Sequence, residues 1–377
     1  MAYDSIVVGL GGMGSAAAAH LAQRGQRVIG FEQFGAAHDR GSSHGKTRII
    51  RQAYFEDSAY VPLLLRAYEL WHDLEQQTGQ TLYVPTGGLF VGLPHSPLVV
   101  GSQRSAREHN LAHEVLDATA IHQRFPATRP RAQEVGVFEL PAGMLFPERC
   151  VQAYLDRAAH LGAVLRFGTK IAEWGTTPSG AAFVTTVEGQ RHEAGTLVLC
   201  IGAWWENARL STSLPIRIER NVMHWFEPAA AARQQLSKLP VFIVDREANA
   251  ALYGFPYIPG QGLKAGFHHT GNFTHADSLE REVAAQEIQD VSAAVLEWLP
   301  AAGRHVAAVV CMYELSPDEH FIVGAHPDSP QIIVAGGFSG HGFKFCSVIG
   351  EIVADLATSR STHHSIGLFS PQRFAAR

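Results

Sequence analysis

The stretch that decides the fold is Ser5-Ile-Val-Val-Gly-Leu-Gly-Gly-Met-Gly14, where a short β-rich run leads into an alanine-rich helix. The glycines that match the pattern GxGxxG are Gly9, Gly11 and Gly14. The helix is predicted to end at Gly25, and a second β-rich run, Arg27 to Phe31, ends on Glu32. This is the order of a βαβ unit that binds a dinucleotide.

Each part of the unit has a physical role. Gly9 permits the tight turn, Gly11 lets the backbone approach a pyrophosphate, and Gly14 allows the helix to pack closely on the strand. Glu32 is placed to accept hydrogen bonds from a ribose hydroxyl. The alternative is a βαβ turn that binds nothing, and the pattern alone does not separate NAD from FAD.

Composition narrows the class of protein. The chain has 377 residues, which favours two domains or one large domain with an insertion. Hydrophobic residues make up 46% and charged residues 17%, as in a compact protein with a large core. The net charge of −5 gives no basic surface for nucleic acid or an anionic membrane.

Targeting and cysteine patterns point to a cytoplasmic protein. No apolar stretch reaches transmembrane length, and no basic segment precedes the first apolar run. The four scattered cysteines form neither a CxxC pair nor a Cys/His ligand pattern, so we expect no disulfide framework and no metal site. They are Cys150, Cys200, Cys311 and Cys346.

The distribution of elements predicts a discontinuous nucleotide domain. Runs typical of a parallel sheet occur at the start, in the middle (Thr196 to Ile201) and near the end (Ile332 to Ala335), separated by β-rich inserts. The predicted fold class is α/β, with a Rossmann-type dinucleotide-binding domain and a second α+β substrate domain containing a mostly antiparallel sheet. The predicted boundaries are 1–85, 146–216 and 320–377 for the first domain and 86–145 and 217–319 for the second.

Two further motifs carry chemistry. Gly41 to Tyr54 places His44, Lys46, Arg48 and Arg51 on one loop, which suits a carboxylate or an electron-rich ring edge. A solvated basic loop is the alternative. Gly336-Gly-Phe-Ser-Gly-His-Gly-Phe-Lys-Phe345 is a glycine loop at the start of a helix, where backbone N–H groups can approach an anion. Lys344 in this loop could equally be an exposed helix lysine.

Together these segments resemble the monomeric sarcosine oxidase family of flavoenzymes, which also holds N-methyltryptophan and L-pipecolate oxidases, within the D-amino-acid-oxidase-like fold. The resemblance spans essentially the whole chain. The segments that carry it are Gly9–Gly14, Gly41–Tyr54, Tyr253–Pro256, Leu263–His268, Cys-Met-Tyr-Glu-Leu-Ser-Pro-Asp-Glu-His-Phe-Ile (311–322) and Gly336–Phe345.

The resemblance implies that Cys311 carries FAD covalently as an 8α-S-cysteinyl thioether, although the residue alone reads as a buried strand cysteine. It implies that Arg51 and Lys344 bind the substrate carboxylate, with Tyr313 beside the substrate. The catalytic set that it implies is Lys264, Arg48, His44, His268 and Tyr253. The cofactor-binding set that it implies is Gly9, Gly11, Gly14, Glu32, Cys311, Ile171, Gly340 and Lys344.

Lys264 is the residue that the resemblance assigns to activation of O2. It lies in an alternating run in which Lys264, Gly266 and His268 share one face of a strand. A lysine that reaches from the strand to solvent, and a histidine buried in the core, are the alternatives.

The expected activity is oxidation of a small secondary amino acid to an imine, with O2 reduced to H2O2 and the protein acting as a monomer. Ser43 and Lys46 depart from the sarcosine oxidase pattern, and the Ser-Ser-His-Gly form (42–45) looks closer to L-pipecolate oxidases, which leaves the preferred amine open. The alternatives are a flavin dehydrogenase that uses an electron carrier, a flavin- or NAD-binding module without turnover, and an NAD-dependent amino-acid dehydrogenase.

Overall fold

A computed structural model describes residues 3–207, 214–246 and 251–374. Within this part of the chain the α-helices are α1 (Gly12–Gln23), α2 (Val61–Thr78), α3 (Pro97–Glu108), α4 (Ala118–Arg124), α5 (Pro147–His160), α6 (Ala230–Leu236), α7 (Ala285–Trp298) and α8 (Cys346–Ser359). The strands are β1 (Ser5–Val8), β2 (Val28–Phe31), β3 (Arg48–Ile50), β4 (Tyr83–Pro85), β5 (Gly88–Gly92), β6 (Glu114–Asp117), β7 (Val135–Glu139), β8 (Gly143–Leu145), β9 (Val164–Arg166), β10 (Ile171–Thr176), β11 (Ala182–Thr186), β12 (Arg191–Ala194), β13 (Thr196–Leu199), β14 (Arg217–Glu227), β15 (Val241–Val244), β16 (Ala251–Gly254), β17 (Leu263–His268), β18 (Phe273–Thr274), β19 (Arg304–Leu315), β20 (Ile322–His326) and β21 (Ser329–Gly336).

The first of the two large sheets has six strands. Its order is β20-β21-β13-β1-β2-β9, and all pairs are parallel except β20 with β21. Strand β1 is central and all four of its residues are buried, as expected for a parallel strand covered on both faces. Helices α1, α2, α5 and α8 pack together on one face of this sheet, in the largest apolar cluster.

The second of the two large sheets has nine strands. Its path is β18-β14-β17-β16-β15-β5-β7-β6, with β19 paired to β14, and only β5 and β15 run parallel. Its core includes Phe226, Phe242 and Trp298, all at most 1% exposed. The parallel and mostly antiparallel sheets of the predicted fold class are therefore both present.

Local sequence explains where the helices begin and end. Helix α2 ends at Gly79, whose φ of 66° is left-handed, as is usual at a helix C-terminus. The polar stretch around Gln103 to Asn110 predicts a helix, and α3 begins earlier than this, at Pro97, because Ser96 caps its first turn by accepting from the Val99 N–H.

The division into two domains remains a prediction; the two large sheets follow it, whereas the three-stranded sheet β3-β8-β4 joins strands from both predicted domains. Every strand of the six-stranded sheet comes from the segments 1–85, 146–216 and 320–377. Every strand of the nine-stranded sheet comes from the segments 86–145 and 217–319. Among the described residues, no helix is both long enough and apolar enough to cross a membrane.

Candidate active site

The glycine turn after β1 has the geometry of a dinucleotide site. Gly9 has a φ of 85°, and a Cβ added at Gly14 would collide with the carbonyl oxygen of Gly9, so neither position tolerates a side chain. Gly11 is open, since the nearest atom to a Cβ there would be the Ser43 hydroxyl at 3.7 Å. The same hydroxyl accepts the Gly12 N–H at the start of α1 (3.1 Å). Phosphate groups bind at such helix N-termini.

Glu32, at the end of β2, is 6% exposed and points back to this turn. Its carboxylate accepts the Leu10 N–H (2.9 Å) and the Phe34 N–H (3.1 Å), and His38 lies 3.3 Å away. Burial alone would raise the pKa of Glu32, but the bonds from His38 and the two N–H groups lower it overall. Glu32 is therefore an ionised acceptor.

A cavity of about 1070 Å³ adjoins the turn and extends between the two sheets. This volume lies above the usual range for a site that holds one small ligand, so the cavity can take a dinucleotide and a small substrate. The predicted site residues that line it are Gly9, Gly11, Glu32, Arg48, Arg51, Ile171, Tyr253, Lys264, His268, Cys311, Tyr313, Gly340 and Lys344. Gly14 packs behind the turn, and His44 is buried outside the lining.

Arg51 is 2% exposed and forms a two-point ion pair with Glu56, at 2.5 and 2.6 Å. Its guanidinium lies 4.1 Å from the centre of the Tyr54 ring. Burial opposes both charges, yet their mutual attraction raises the pKa of Arg51 and lowers that of Glu56. The guanidinium of Arg51 is thus oriented to bind a carboxylate, and in this structure that carboxylate is the side chain of Glu56.

Lys344 enters the same region from the loop before α8. It is 5% exposed, its Nζ donates to the His341 carbonyl (2.7 Å), and it lies 5.2 Å from the centre of the Tyr54 ring. Burial, followed by repulsion from Arg51, lowers the pKa of Lys344 to about 7. An anion entering the cavity would stabilise its charged form.

Lys264 is 3% exposed and lies in β17. Its Nζ donates to the carbonyls of Gly45 (2.7 Å) and Thr47 (2.8 Å), which leaves one N–H of an ammonium group for the cavity. Burial, with repulsion from Arg48, holds the pKa of Lys264 well below its usual value. Lys264 and His268 both line the cavity, as the alternation of the strand predicts.

Cys311 lies in β19, opposite Asn221 of β14, and is 2% exposed. Its sulfur is 3.7 Å from Nη2 of Arg48, which also donates to the Ser42 carbonyl (2.8 Å). All four cysteines are free. The thiol is thus available in the cavity, with the Arg48 guanidinium beside it.

Tyr253, His268 and Tyr313 form an aromatic wall. The His268 Nδ1 lies 3.4 Å from the Tyr313 hydroxyl, and burial, with repulsion from His269, holds the pKa of His268 well below its usual value. Gly340 has a φ of 76°, and a Cβ there would lie 2.5 Å from the Tyr313 ring. Glycine is therefore required where this loop meets the wall.

His44 is the predicted catalytic residue that does not line the cavity. It is 3% exposed, and burial, with repulsion from Arg48, lowers its pKa to about 4. Sequence reasoning missed Glu56, Asn221, Glu314 and His341, which do line the cavity. Glu56 follows Arg51 by five positions, just after the basic motif, which was the available signal. Glu314 and His341 lie in two segments that carry the family resemblance, which assigned them no individual role, and Asn221 carries no local pattern.

A separate group on the surface could hold a metal ion. Ligand atoms of Glu351, His363 and His364 lie within 4.8 Å of one another. Glu351 is already bound by Arg66 (2.7 Å) and His364 (2.9 Å), however, so a cation would have to displace an arginine. That the protein needs no metal stays a prediction.

The strand order of the six-stranded sheet, the glycine turn after β1 and the cavity between the two sheets are together typical of a dinucleotide-dependent oxidoreductase. The model of the family named FAD dependent oxidoreductase (DAO) matches residues 4–356, and the chain belongs to this family. FAD is therefore its cofactor. The residues fit that group, because Gly11 leaves open space beside the helix N-terminus, where a pyrophosphate would approach, and the buried Glu32 carboxylate lies beside the same turn.

Relatives match over the full length. A monomeric sarcosine oxidase of Streptomyces avermitilis is 46% identical, covering 99% of this chain and 98% of that protein. An N-methyl-L-tryptophan oxidase of Yersinia pestis is 33% identical, covering 99% and 100%. The structure of NikD, an amino acid oxidase of nikkomycin biosynthesis, aligns with a TM-score of 0.86 at 24% identity, covering 98% and 97%, which confirms the fold. The resemblance seen in the sequence is confirmed.

Proposed function

We propose that the protein oxidises a small secondary amino acid of the sarcosine type to its imine and transfers the electrons to O2, with release of H2O2. One observation carries this proposal. Two buried cations, Arg51 and Lys344, converge on the Tyr54 ring in the cavity that adjoins the FAD turn. The names of the relatives, sarcosine oxidase and N-methyl-L-tryptophan oxidase, support a secondary amine with a carboxylate.

The charge of the site suits this chemistry. Arg51 and Lys344 bind and orient the carboxylate, which fixes the amine beside the aromatic wall. The positive charges of Arg51 and Lys344 disfavour a further positive charge nearby, so they lower the pKa of a bound ammonium group and favour the neutral amine. His268 is held neutral by burial and adds no positive charge. Bound FAD supplies the two-electron acceptor.

The substrate itself is tested with a panel of secondary amines. Purified protein in air is given sarcosine, N-methyl amino acids, L-pipecolate and L-proline, and peroxide release is measured with each. We expect peroxide with at least one of these substrates. Flavin reduction without peroxide would instead identify a dehydrogenase that needs an electron carrier, and no flavin reduction with any amine would contradict the proposed activity.

Covalent attachment of FAD at Cys311 is the next prediction. The free sulfur in the cavity, 3.7 Å from Arg48, supports it. Protein precipitated with acid should keep its yellow colour, and Cys311→Ala should release the flavin or fail to bind it. Cys200→Ala is the matched control, because Cys200 is also a free, buried cysteine that lines the cavity. Release of all flavin from the wild type would refute the linkage.

The lowered pKa of Lys344 predicts how binding depends on pH. With a pKa of about 7, Lys344 is charged below that pH and loses its proton above it. Binding of an amine-free carboxylate such as acetate should weaken above about pH 7, by up to roughly tenfold per pH unit. Titration of the flavin spectrum measures this affinity. In Lys344→Met the affinity for acetate should be low and nearly independent of pH. If the variant keeps the pH profile of the wild type, Lys344 is not the group whose titration controls binding.

The chain is further proposed to act as a cytoplasmic monomer. The prediction of a monomer agrees with the name of the Streptomyces relative, a monomeric sarcosine oxidase. Size-exclusion chromatography with light scattering tests it directly, and a mass near 41.0 kDa is the expected result.

A further inference from the structure

Glu314 is a buried acid that the proposed chemistry does not use. It lies in β19, next to Tyr313, is 8% exposed and lines the cavity. Its Oε2 atom has no hydrogen-bond partner among the described residues. A buried polar oxygen without a partner is costly, so the Oε2 atom of Glu314 is suited to a hydrogen bond with a bound ligand.

The position of Glu314 identifies that partner. Its backbone carbonyl accepts the Ser339 N–H (2.8 Å), in the glycine loop that follows β21 of the six-stranded sheet. Its neighbour Tyr313 belongs to the aromatic wall of the nine-stranded sheet. Glu314 therefore lies where the two sheets meet. If Glu32 holds the ribose of FAD and Cys311 holds its flavin ring, as proposed, the ribityl–flavin half of FAD would lie along this junction.

The environment also sets the protonation of the carboxyl group. Burial raises the pKa of Glu314 to about 8, against the opposing effect of the Gly337 N–H, the Trp205 indole N–H and the Phe338 N–H. At pH 7 the group is then mostly the neutral acid, which offers one O–H donor in addition to its acceptor oxygens. Such a group can donate a hydrogen bond to a carbonyl or hydroxyl oxygen.

We propose that Glu314 is a cofactor-binding residue that donates a hydrogen bond, as its neutral acid, to an oxygen of the ribityl–flavin half of FAD. The proposal depends on FAD as the cofactor and not on the identity of the amine. Glutamine preserves both the shape of the side chain and a donor at the Oε2 position. Leucine and methionine preserve the approximate volume and remove the donor.

FAD affinity measures the effect without any substrate. Full-length chains are produced in a riboflavin-limited host, and binding is followed by quenching of FAD fluorescence, before any covalent step. Glu314→Gln should bind FAD within about threefold of the wild type, whereas Glu314→Leu should bind at least about tenfold more weakly, as expected for one lost buried hydrogen bond. Glu314→Met replaces the leucine variant if the latter does not fold.

Two further measurements distinguish this role from a structural one. Flavin-free Glu314→Leu should melt at or above the wild-type temperature, because it lacks an unsatisfied buried acid. Val310→Ala, a buried position of the same strand outside the cavity lining, should melt lower but bind FAD normally. Wild-type FAD affinity in Glu314→Leu would overturn the proposal, and so would an equal loss in Glu314→Gln, which would indicate an ionised carboxylate.

Discussion

Replacing Arg51 or Lys344 with methionine should lower kcat/KM for a carboxylate-bearing amine by about two to three decades. The substrate carboxylate would lose one of its two partners in a buried site, which typically costs about 2–5 kcal/mol. Secondary amines without a carboxylate should lose far less. Steady-state peroxide assays on matched pairs of amines measure the difference. Equal losses for both kinds of amine would remove the carboxylate-binding role.

The pair between Arg51 and Glu56 requires an additional control. Arg51→Met leaves Glu56 as a buried charge without its partner, which should lower the melting temperature. The double variant Arg51→Met/Glu56→Gln should recover stability but not the rate with carboxylate substrates. If the double variant recovers both, the loss in the single variant reflects folding. Arg149→Met and Lys238→Met, at exposed positions outside the cavity lining, should leave kcat/KM unchanged.

Lys264→Met should slow reoxidation of the reduced enzyme by air at least roughly a hundredfold, the scale of losing one preorganised electrostatic group. Two carbonyls hold the Lys264 amine in place, and its remaining N–H faces the cavity, where O2 acquires negative charge. Negative charge arriving there stabilises the ammonium form that burial disfavours. Flavin reduction by substrate without oxygen should change much less.

Stopped-flow mixing of reduced enzyme with oxygenated buffer measures this step. Lys46→Met is the matched control. Lys46 and Lys264 lie at similar distances from the Trp225 ring centre, 5.6 and 5.7 Å, but Lys46 is exposed. A slow step in Lys264→Met alone is the expected result. Reoxidation at the wild-type rate in that variant would make Lys264 a structural residue of the strand.

Elements with a strong local pattern could be predicted from the sequence. Strands β1, β7 and β15 are each a short apolar run between turn residues, a pattern that predicts a strand at these positions. Apolar residues recur on one face between Tyr60 and Gln77, which predicts a helix there, and α2 spans Val61–Thr78. Strands β6, β10 and β20 were not predicted. The first two are mostly exposed, and β20 is defined by its partner β21 rather than by its own residues.

The residues of the site could be predicted only in part. The glycine turn and Glu32 follow from their spacing, and the roles of Arg51, Lys264 and Lys344 came from the family resemblance and remain to be tested. The contact between Tyr54 and His341 (2.5 Å) joins residues 287 positions apart, which no local pattern encodes. Glu314 was missed for the same reason. Its burial depends on a loop more than twenty residues later in the chain.

The strand order has a consequence for biosynthesis. Strand β1 is synthesised long before β21, which pairs with β13, and long before α8, whose Cys346 packs against Gly12. A chain that emerges from the ribosome therefore exposes the apolar strand β1 and an incomplete pyrophosphate site until β21 and α8 have been translated. We expect FAD to bind only after that point. Deletion of α8 should accordingly prevent flavin incorporation, although every glycine of the turn would still be present.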